Sequence, residues 1–344
     1  MKVSLEKIQP DSKLLDELEE FAVANNFRSL GFSPTWATNI ESFYKKEAWA
    51  LIGRSNGAID ISIVGNYFPI SRFGIGKLVS GAFLDHGGLV FQNDVTQPVI
   101  DEFTKEATRI SKFHNIISKP LSLLHDEWPQ SIAIVNTENR NEGDIHKSIS
   151  SRARNDIKKA RSIEQEVYFD FKYTNDFYSL YEKRMKEFGT PPHSIDYFKF
   201  LIEKFPNEAY LGVVISRGQV VAASFGISTK RIASHMYAVI DRNFSKSAAG
   251  DFLLYSEILR SANNNDKEIW LGRSLKNGTV ELYKKKWKPA FLSTTEIPIS
   301  DLGNDRFQRK YVSPDLLSKF TNFKFNRSDL MPTVMRTRIR KYAP

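Results

Sequence analysis

The chain has 344 residues, 41% of them hydrophobic, with 49 Lys and Arg against 40 Asp and Glu, for a formal charge of +9 and a pI near 9.4. That length accommodates two domains of ordinary size, each with a core of its own, and excludes a peptide or a disordered tail. With no cysteine, disulfides, thiolate nucleophiles and Cys-ligated zinc are excluded together, and the positive balance favours polyanionic partners such as nucleic acid, anionic lipid or phosphorylated intermediates.

The N-terminal stretch MKVSLEKIQPDSKLL lacks the apolar region of a signal peptide, and no run approaches the roughly 18 apolar residues that span a bilayer. The expectation is a cytoplasmic protein. A helical N-terminal stretch leads to AWALIGRSNGAIDISIVGNYF (48–68), which reads as strand, Asn-Gly turn, strand. FGIGK, just beyond it, is not a Walker loop, because the glycine that pattern needs six residues before the lysine is Ser71. GKLVSGAFLDHGGLV then reads as a strand and a glycine turn, followed by the helical PVIDEFTKEATRISK.

HKSISSRARNDIKKARSIEQEV is a basic helix. Ile149, Ala153, Ile157 and Ala160 form a narrow apolar stripe, and Arg154, Lys158 and Arg161 recur along a neighbouring one, with Ser148 or Ser150 placed to cap the start. Two further amphipathic helices, DFYSLYEKRMKEF and IDYFKFLIEKF, flank the breaking turn GTPPHS. The hairpin AYLGVVISRGQVVAASFGIST (209–229) repeats the shape of the first one. Gly57 and Gly218, like Gly88 and Gly250, keep nearly one offset, so two copies of one α/β unit are expected.

In LGRSLKNGTVELYKKKW (271–287), a helix starting after Gly278 puts Val280, Tyr283 and Trp287 on one stripe, with Lys284 within about 60° of Val280 and Trp287. Lys285 and Lys286 point to a solvated face. The six histidines, His86, His114, His125, His146, His193 and His235, show no metal-ligand spacing, and no GxSxG elbow surrounds a serine. No metal site is therefore expected. The chain closes on the short basic MPTVMRTRIRKYAP, where Met335 and Ile339 share a face beside Arg336 and Arg340.

RARNDIKKA resembles the RNxIRKA-like signature of the FemABX family, the double GNAT-like aminoacyltransferases. FGTPPHSIDYF, LGRSLKNGTVELYKKKW and FGIGKLVSGAFLDHGGLV are similar to segments of its FemAB-related branch, found in polysaccharide and exosortase-associated gene sets. In order, these segments cover about residues 70 to 290. The resemblance implies an α/β chain of two tandem GNAT-like domains with mixed central sheets, at 1–145 and 146–300, and a C-terminal segment, 301–344, that packs back on the first domain. It also implies acyl transfer to an amine, typically from aminoacyl-tRNA, with no metal.

The residue types suit that chemistry. An activated ester collapses through a tetrahedral oxyanion that needs positioned cations or amide donors, which directs attention to Arg273 and Lys284. Ser274, Tyr283 and Trp287 neighbour them. Arg154 and Lys158 would follow phosphates of tRNA or of a lipid-linked carrier, and Thr190 and His193 would line the acceptor groove. Gly87, Gly88 and Gly250 stand where GNAT enzymes bind the donor's pyrophosphate, although neither glycine turn completes the QxxGxG/A pattern.

Trp270 replaces the family's Asp before GRS, Lys288 replaces the Gly after its tryptophan, and Gln92, with Asp94 two residues on, occupies the place of an aspartate found in peptidoglycan members. No general base is assigned. The leading expectation is an enzyme that forms an amide on an amino sugar, a peptide stem or another lipid-linked or sugar-nucleotide envelope precursor, with aminoacyl-tRNA as cosubstrate. It would touch the inner face of the membrane through its basic C-terminus. An acetyl-CoA-dependent N-acetyltransferase of an amino sugar is the second expectation. A non-catalytic basic module binding nucleic acid or a membrane surface is the third.

Overall fold

The computed structural model describes residues 1–69, 76–111, 113, 115–122 and 128–301. His114, His125, the start of FGIGK and the basic C-terminal segment, including Met335, Arg336, Ile339 and Arg340, lie outside the described residues. The chain divides into two compact units, Met1–Trp128 with the return that starts at Ser293, and Pro129–Leu292.

In the first unit, β1 (Lys2–Lys7) leads into helices α1 (Lys13–Ala24) and α2 (Pro34–Tyr44), then strands β2 (Ala48–Ser55), β3 (Ala58–Pro69), β4 (Gly76–Ser80) and β5 (Leu89–Phe91), helix α3 (Gln97–Ile110) and strands β6 (Asn115–Ser118) and β7 (Leu121–Ser122). In the second, β8 (Gln130–Asn136), α4 (Glu142–Ser148) and α5 (Ser151–Ser162) precede β9 (Glu166–Phe169), α6 (Thr174–Glu187), α7 (Ile195–Lys204), β10 (Ala209–Ser216), β11 (Gln219–Thr229), β12 (Ile232–Ile240), α8 (Ala249–Asn263), β13 (Glu268–Leu275) and α9 (Thr279–Lys285). The chain closes its described part with β14 (Ala290–Thr294) and β15 (Ile297–Pro298).

The expected duplication appears as one topology used twice. The first sheet runs β1-β2-β3-β4-β6-β15, with β5 also pairing β3, and the second runs β9-β10-β11-β12-β13-β8-β14. Each has two helices between its first and second strands, a tight hairpin next, and a crossover helix before the strand that pairs parallel to the third member of the meander. Both hairpins turn on paired left-handed residues, Asn56-Gly57 and Arg217-Gly218, the geometry that matches strand twist.

The second offset does not mark equivalent positions. Gly250 is the second residue of α8, whereas Gly88 lies in the loop before β5 and the second residue of α3 is Pro98.

The expected boundary at 145/146 also differs from the one observed. β8 lies antiparallel to β13, so residues 129–145 belong with the second sheet, while Ile297–Pro298 return to pair with β6 in the first. The basic helix forms as α5, but it starts after Ile149, which instead caps the end of α4. Ser150 accepts a hydrogen bond from the Ala153 amide at 3.2 Å, and Ile149, Ala153 and Ile157 bury against Ala133, Val135, Tyr255 and Ile258 in the core that also holds Trp287. Each buried Ile contributes about 2 to 3 kcal/mol by leaving water.

Consecutive residues of β11 show how the second sheet is layered. Ser224 faces α8, where its hydroxyl donates to Glu257, whereas Phe225 packs edge-on against Phe198 of α7 at 5.5 Å. Side chains alternate along a strand, so α8 and the α6–α7 pair cover opposite faces.

Candidate functional site in the second unit

β12 and β13 run parallel, but they pair only from Ile232–Glu268 to Ser234–Trp270 and part beyond those residues. Two irregularities sit at that point. In β12 the register against β11 shifts at Phe225/Gly226, so that Tyr237 faces Phe225 and His235 faces Gly226, with Met236 as the extra residue. In β13 the register against β8 shifts between Trp270 and Arg273, bulging Leu271 and Gly272. Gly272 adopts φ 77°, a left-handed conformation that disfavours residues with a Cβ. Arg273 thus follows a bulge inside a strand.

The β12 bulge sends His235 and Tyr237 to opposite faces. Tyr237 joins a buried aromatic group on the α6–α7 side, 5.6 Å from both Tyr181 and His193. His235 turns to α8, and its Nδ1 lies 2.5 Å from a carboxylate oxygen of Glu257, whose other oxygen accepts from Ser224. Glu257 is only 1% exposed. No local motif marks this pair, because a His on a strand and a Glu 22 residues later on a helix meet only through the fold.

Lys284 is more deeply placed than its pattern predicted. It is 6% exposed, and its ammonium donates to the carbonyl oxygens of Gly272 at 2.7 Å and Arg273 at 3.2 Å, pinning the bulge in β13. A buried ammonium with no partner would be costly, and bulged carbonyls outside the ladder need donors, so each resolves the other's problem. The Arg273 side chain reaches the Gln130 carboxamide at 3.2 Å.

The expected apolar stripe of α9 is wrong at one end. Val280 is 52% exposed, while Glu281 is buried and accepts from the Ser131 hydroxyl and the Asn277 amide, both at 2.8 Å. Burial works against ionisation of Glu281, yet these donors and Lys285 hold its carboxyl below the usual range.

Lys286 also departs from expectation. Only Lys285 is exposed; Lys286 lies largely buried between Asp156, at 3.0 Å, and Asp251, with its ammonium 4.5 Å from the centre of the Tyr283 ring. Burial raises the Asp251 carboxyl above its ordinary value against the pull of Lys286, and raises the Tyr283 phenol, with Asp251's charge adding to the effect. Tyr283 directs its hydroxyl to the Gly250 carbonyl at 3.4 Å, at the start of α8. Trp287 is a core residue, and Lys288, at φ 50°, holds the left-handed position for which the similar family branch carries Gly.

Other expected site residues have structural partners. Arg154 donates to the Ile149 carbonyl at 2.6 Å, closing the end of α4, and Arg161 pairs with Glu142 at 3.3 Å. Lys158 alone of that stripe is exposed with no partner among the described residues. Ser274 is buried and its hydroxyl lies 3.5 Å from the Ser131 carbonyl. His193 is buried and stacked on Tyr197 at 4.3 Å, its amide donating to the Tyr181 hydroxyl, while the Thr190 amide closes onto the Met185 carbonyl at 2.9 Å.

In the first unit the Gly87 amide donates to the Lys119 carbonyl at 3.1 Å, and a Cβ on Gly87 or Gly88 would strike backbone at 2.7 Å or the Ser118 hydroxyl at 2.5 Å. Those glycines are required by packing. The Gln92 carboxamide holds the Ile59 carbonyl at 2.7 Å. Of the expected site residues, then, Arg273, Tyr283, Lys284 and Gly250 gather around the parting of β12 and β13, Lys158 lies exposed on α5, and the rest serve the surrounding frame.

Among the described residues no group of His, Asp and Glu is arranged to hold a metal ion, and no helix is long and apolar enough to cross a membrane. Residues 148–285 match the family model for an acetyltransferase (GNAT) domain. The fold as a whole is α/β with two mixed sheets in the tandem GNAT arrangement.

Among solved structures, FemX superposes with a TM-score of 0.62 at 10% identity, covering 86% of this chain and 97% of FemX. A tandem GNAT protein from the clavulanic acid biosynthesis pathway gives 0.53 at 8% identity, covering 87% and 99%. L-PGS from Bacillus licheniformis gives 0.50 at 12% identity, covering 87% and 94%. No curated protein matches the sequence.

Proposed function

We propose that this protein is an acyltransferase of the FemABX type, which forms an amide by attack of a neutral amine on an activated acyl carbonyl held where β12 and β13 part. The observation that carries the reading is that parting itself. Three residues of parallel pairing end at two opposed bulges, leaving strand edges between which an extended acyl donor can lie, flanked by His235 on one side and by Arg273 on the other. Lys284 acts there by fixing the carbonyls of the β13 bulge, and Arg273 supplies positive charge for the developing oxyanion or a donor phosphate.

Aminoacyl-tRNA is the proposed donor, and the acceptor is an amine of a cell-envelope precursor, an amino sugar, polysaccharide or peptidoglycan intermediate. Two features support that choice. The first turn of α8 already contains the Asp251 carboxylate, which occupies the favourable end of the helix dipole and disfavours a pyrophosphate there. The exposed Lys158 and Lys159 of α5 offer sequence-independent contacts to a nucleic-acid backbone. The reaction would take place in the cytoplasm, at the inner face of the membrane if the acceptor is lipid-linked.

The second reading, acetyl-CoA as donor to an amino sugar, is supported by the small residues Ala248 to Gly250 at the start of α8 and by the likeness to a tandem GNAT protein. A silent basic module is less well supported, since Arg154 and Arg161 are engaged in the fold. The discriminating experiment is binding of charged tRNA, uncharged tRNA and acetyl-CoA to the purified protein across a salt series. Salt-sensitive binding of charged tRNA at micromolar or tighter Kd, clearly above that of uncharged tRNA, is expected. Saturable binding of acetyl-CoA with only non-specific tRNA binding moves the assignment to acetyl transfer, and binding of neither overturns both.

A further inference from the structure

The polar group formed by Ser224, Glu257 and His235 is not accounted for by the frame of the fold. Glu257 sits on the buried face of α8, next to Tyr255 and Ile258, and a buried carboxylate in such a place is expensive unless hydrogen-bonded. Its two oxygens are satisfied by two different strands, one by the Ser224 hydroxyl on β11 and the other by Nδ1 of His235 on β12. A carboxylate only accepts, so the hydrogen of this contact belongs to Nδ1 and the neutral imidazole keeps its lone pair on Nε2. Nε2 has no protein partner among the described residues, and the His235 side chain remains 14% exposed. His235 is also the first residue of β12 beyond its last pair with β13.

We propose that His235 is the general base of the transfer reaction, with Glu257 and Ser224 as positioning residues that fix its tautomer and ring orientation. The assignment rests on the acyl-transfer reading above. The amine nitrogen attacks the acyl carbonyl carbon, a C–N bond forms, and the carbonyl π pair moves to oxygen. One N–H proton of the adduct passes to Nε2 of His235. Collapse restores the carbonyl and breaks the bond to the leaving ribose oxygen or thioester sulfur, which takes the proton back from the imidazolium. The products are an amide and a neutral alcohol or thiol, and His235 returns to its starting form. A positioned base of this kind accelerates transfer by about 10² to 10⁴.

The test uses the full chain, glucosamine as the amine, and alanyl-tRNA and acetyl-CoA as alternative donors. With the donor the wild type turns over, His235→Asn is expected to lower kcat at least about 100-fold while KM for the donor stays within about threefold. The variant should lose the acid limb of the kcat–pH profile, and imidazole added to the buffer should restore part of the rate. Ser224→Ala, the mildest change, is expected to lower kcat less than His235→Asn and to leave KM unmoved.

Nitrogen NMR of wild-type protein labelled at histidine supplies a readout independent of turnover and of variant folding, and should show His235 protonated at Nδ1. A His235→Asn enzyme with wild-type kcat and pH profile, or a proton found on Nε2, overturns the assignment while leaving acyl transfer standing. Failure of the wild type to turn over either donor overturns the acyl-transfer reading itself, and this inference with it.

Discussion

The two units repeat one topology, yet they treat the same point in it differently. In each, the parallel pair at the sheet centre is held in register for three residues, Lys77–Asn115 to Val79–Ile117 in the first and Ile232–Glu268 to Ser234–Trp270 in the second. Each unit also has a buried lysine that binds two backbone carbonyls, though from different places: Lys119, just after β6, binds those of Gly81 and Leu84 in the loop after β4 at 2.7 and 2.8 Å, and Lys284 of α9 binds those of Gly272 and Arg273 in β13 itself.

The units differ in their histidines, one in the loop after β4 and the other inside β12. His86 of the first unit is 5% exposed and spends Nε2 on the Ser29 hydroxyl at 2.6 Å, whereas His235 of the second uses Nδ1 on a carboxylate and leaves Nε2 without a protein partner among the described residues. A closed polar group stabilises, and an open one is available for chemistry. The contrast supports the proposal that the reaction belongs to the second unit, since His86 in the first is held in a closed pair.

The comparison would break most visibly at the two lysines. Lys119→Met and Lys284→Met each orphan two buried carbonyls, and each is expected to cost about 3 kcal/mol. Thermal unfolding should register both. Only Lys284→Met should also reduce acyl transfer in the fraction that remains folded, and loss of transfer in both would end the functional asymmetry between the units.

The histidines sharpen it next. Burial pushes the His86 pKa down to about 4 from 6.5, so below pH 6.5 the unfolded chain binds a proton that the native chain refuses. That stability is present in full above pH 6.5 and is lost progressively as pH falls toward 4, reaching about 3 kcal/mol. Denaturant titrations at pH 7 and pH 4.5 should show the loss, and His86→Asn should flatten it.

A smaller contrast is expected between glycines. At Gly87 a Cβ meets the Gly81 amide nitrogen at 2.7 Å and the Gly31 carbonyl oxygen at 2.8 Å, both backbone, so Gly87→Ala should cost about 2 to 3 kcal/mol. At Gly250 the obstacle is the end of the half-exposed Ile240 side chain, which can swing away, and Ala favours a helix. Gly250→Ala should stay within about 1 kcal/mol of wild type. Smallest of all is the pair on α5. Arg154→Ala should lose about 1 kcal/mol with its cap on the Ile149 carbonyl, and Lys158→Ala less than about 0.5, while tRNA binding should weaken only in the second.

Much of the frame was legible in the residues. Asn56-Gly57 and Arg217-Gly218 announced both hairpins, and Ala153, Ile157 and Ala160 gave the basic helix its buried face, because turns and amphipathic periods are local properties. Burial of charge was not legible. Lys285 and Lys286 read as a solvated pair on a helical wheel, with Lys284 beside the apolar stripe, and what draws Lys286 inward, the carboxylates of Asp156 and Asp251, and what Lys284 holds, the bulged carbonyls of Gly272 and Arg273, lie elsewhere in the chain. His235 was hidden for a related reason. The bulge at Met236 breaks the two-residue alternation that would have assigned His235 and Tyr237 to one face, and register shifts are set by strand pairing.

The exchange of β8 and β15 has a consequence for biosynthesis. The first sheet ends on β15, which pairs with β6 through Ile297–Ser118 and Pro298–Ile117. When the first unit leaves the ribosome, the strand that covers its β6 edge has not yet been made, and translation must proceed through the whole second unit before it appears, a delay of about ten seconds or more. Over that interval β6 presents open amides and carbonyls. The last step in completing the first sheet thus waits until β15 has been made.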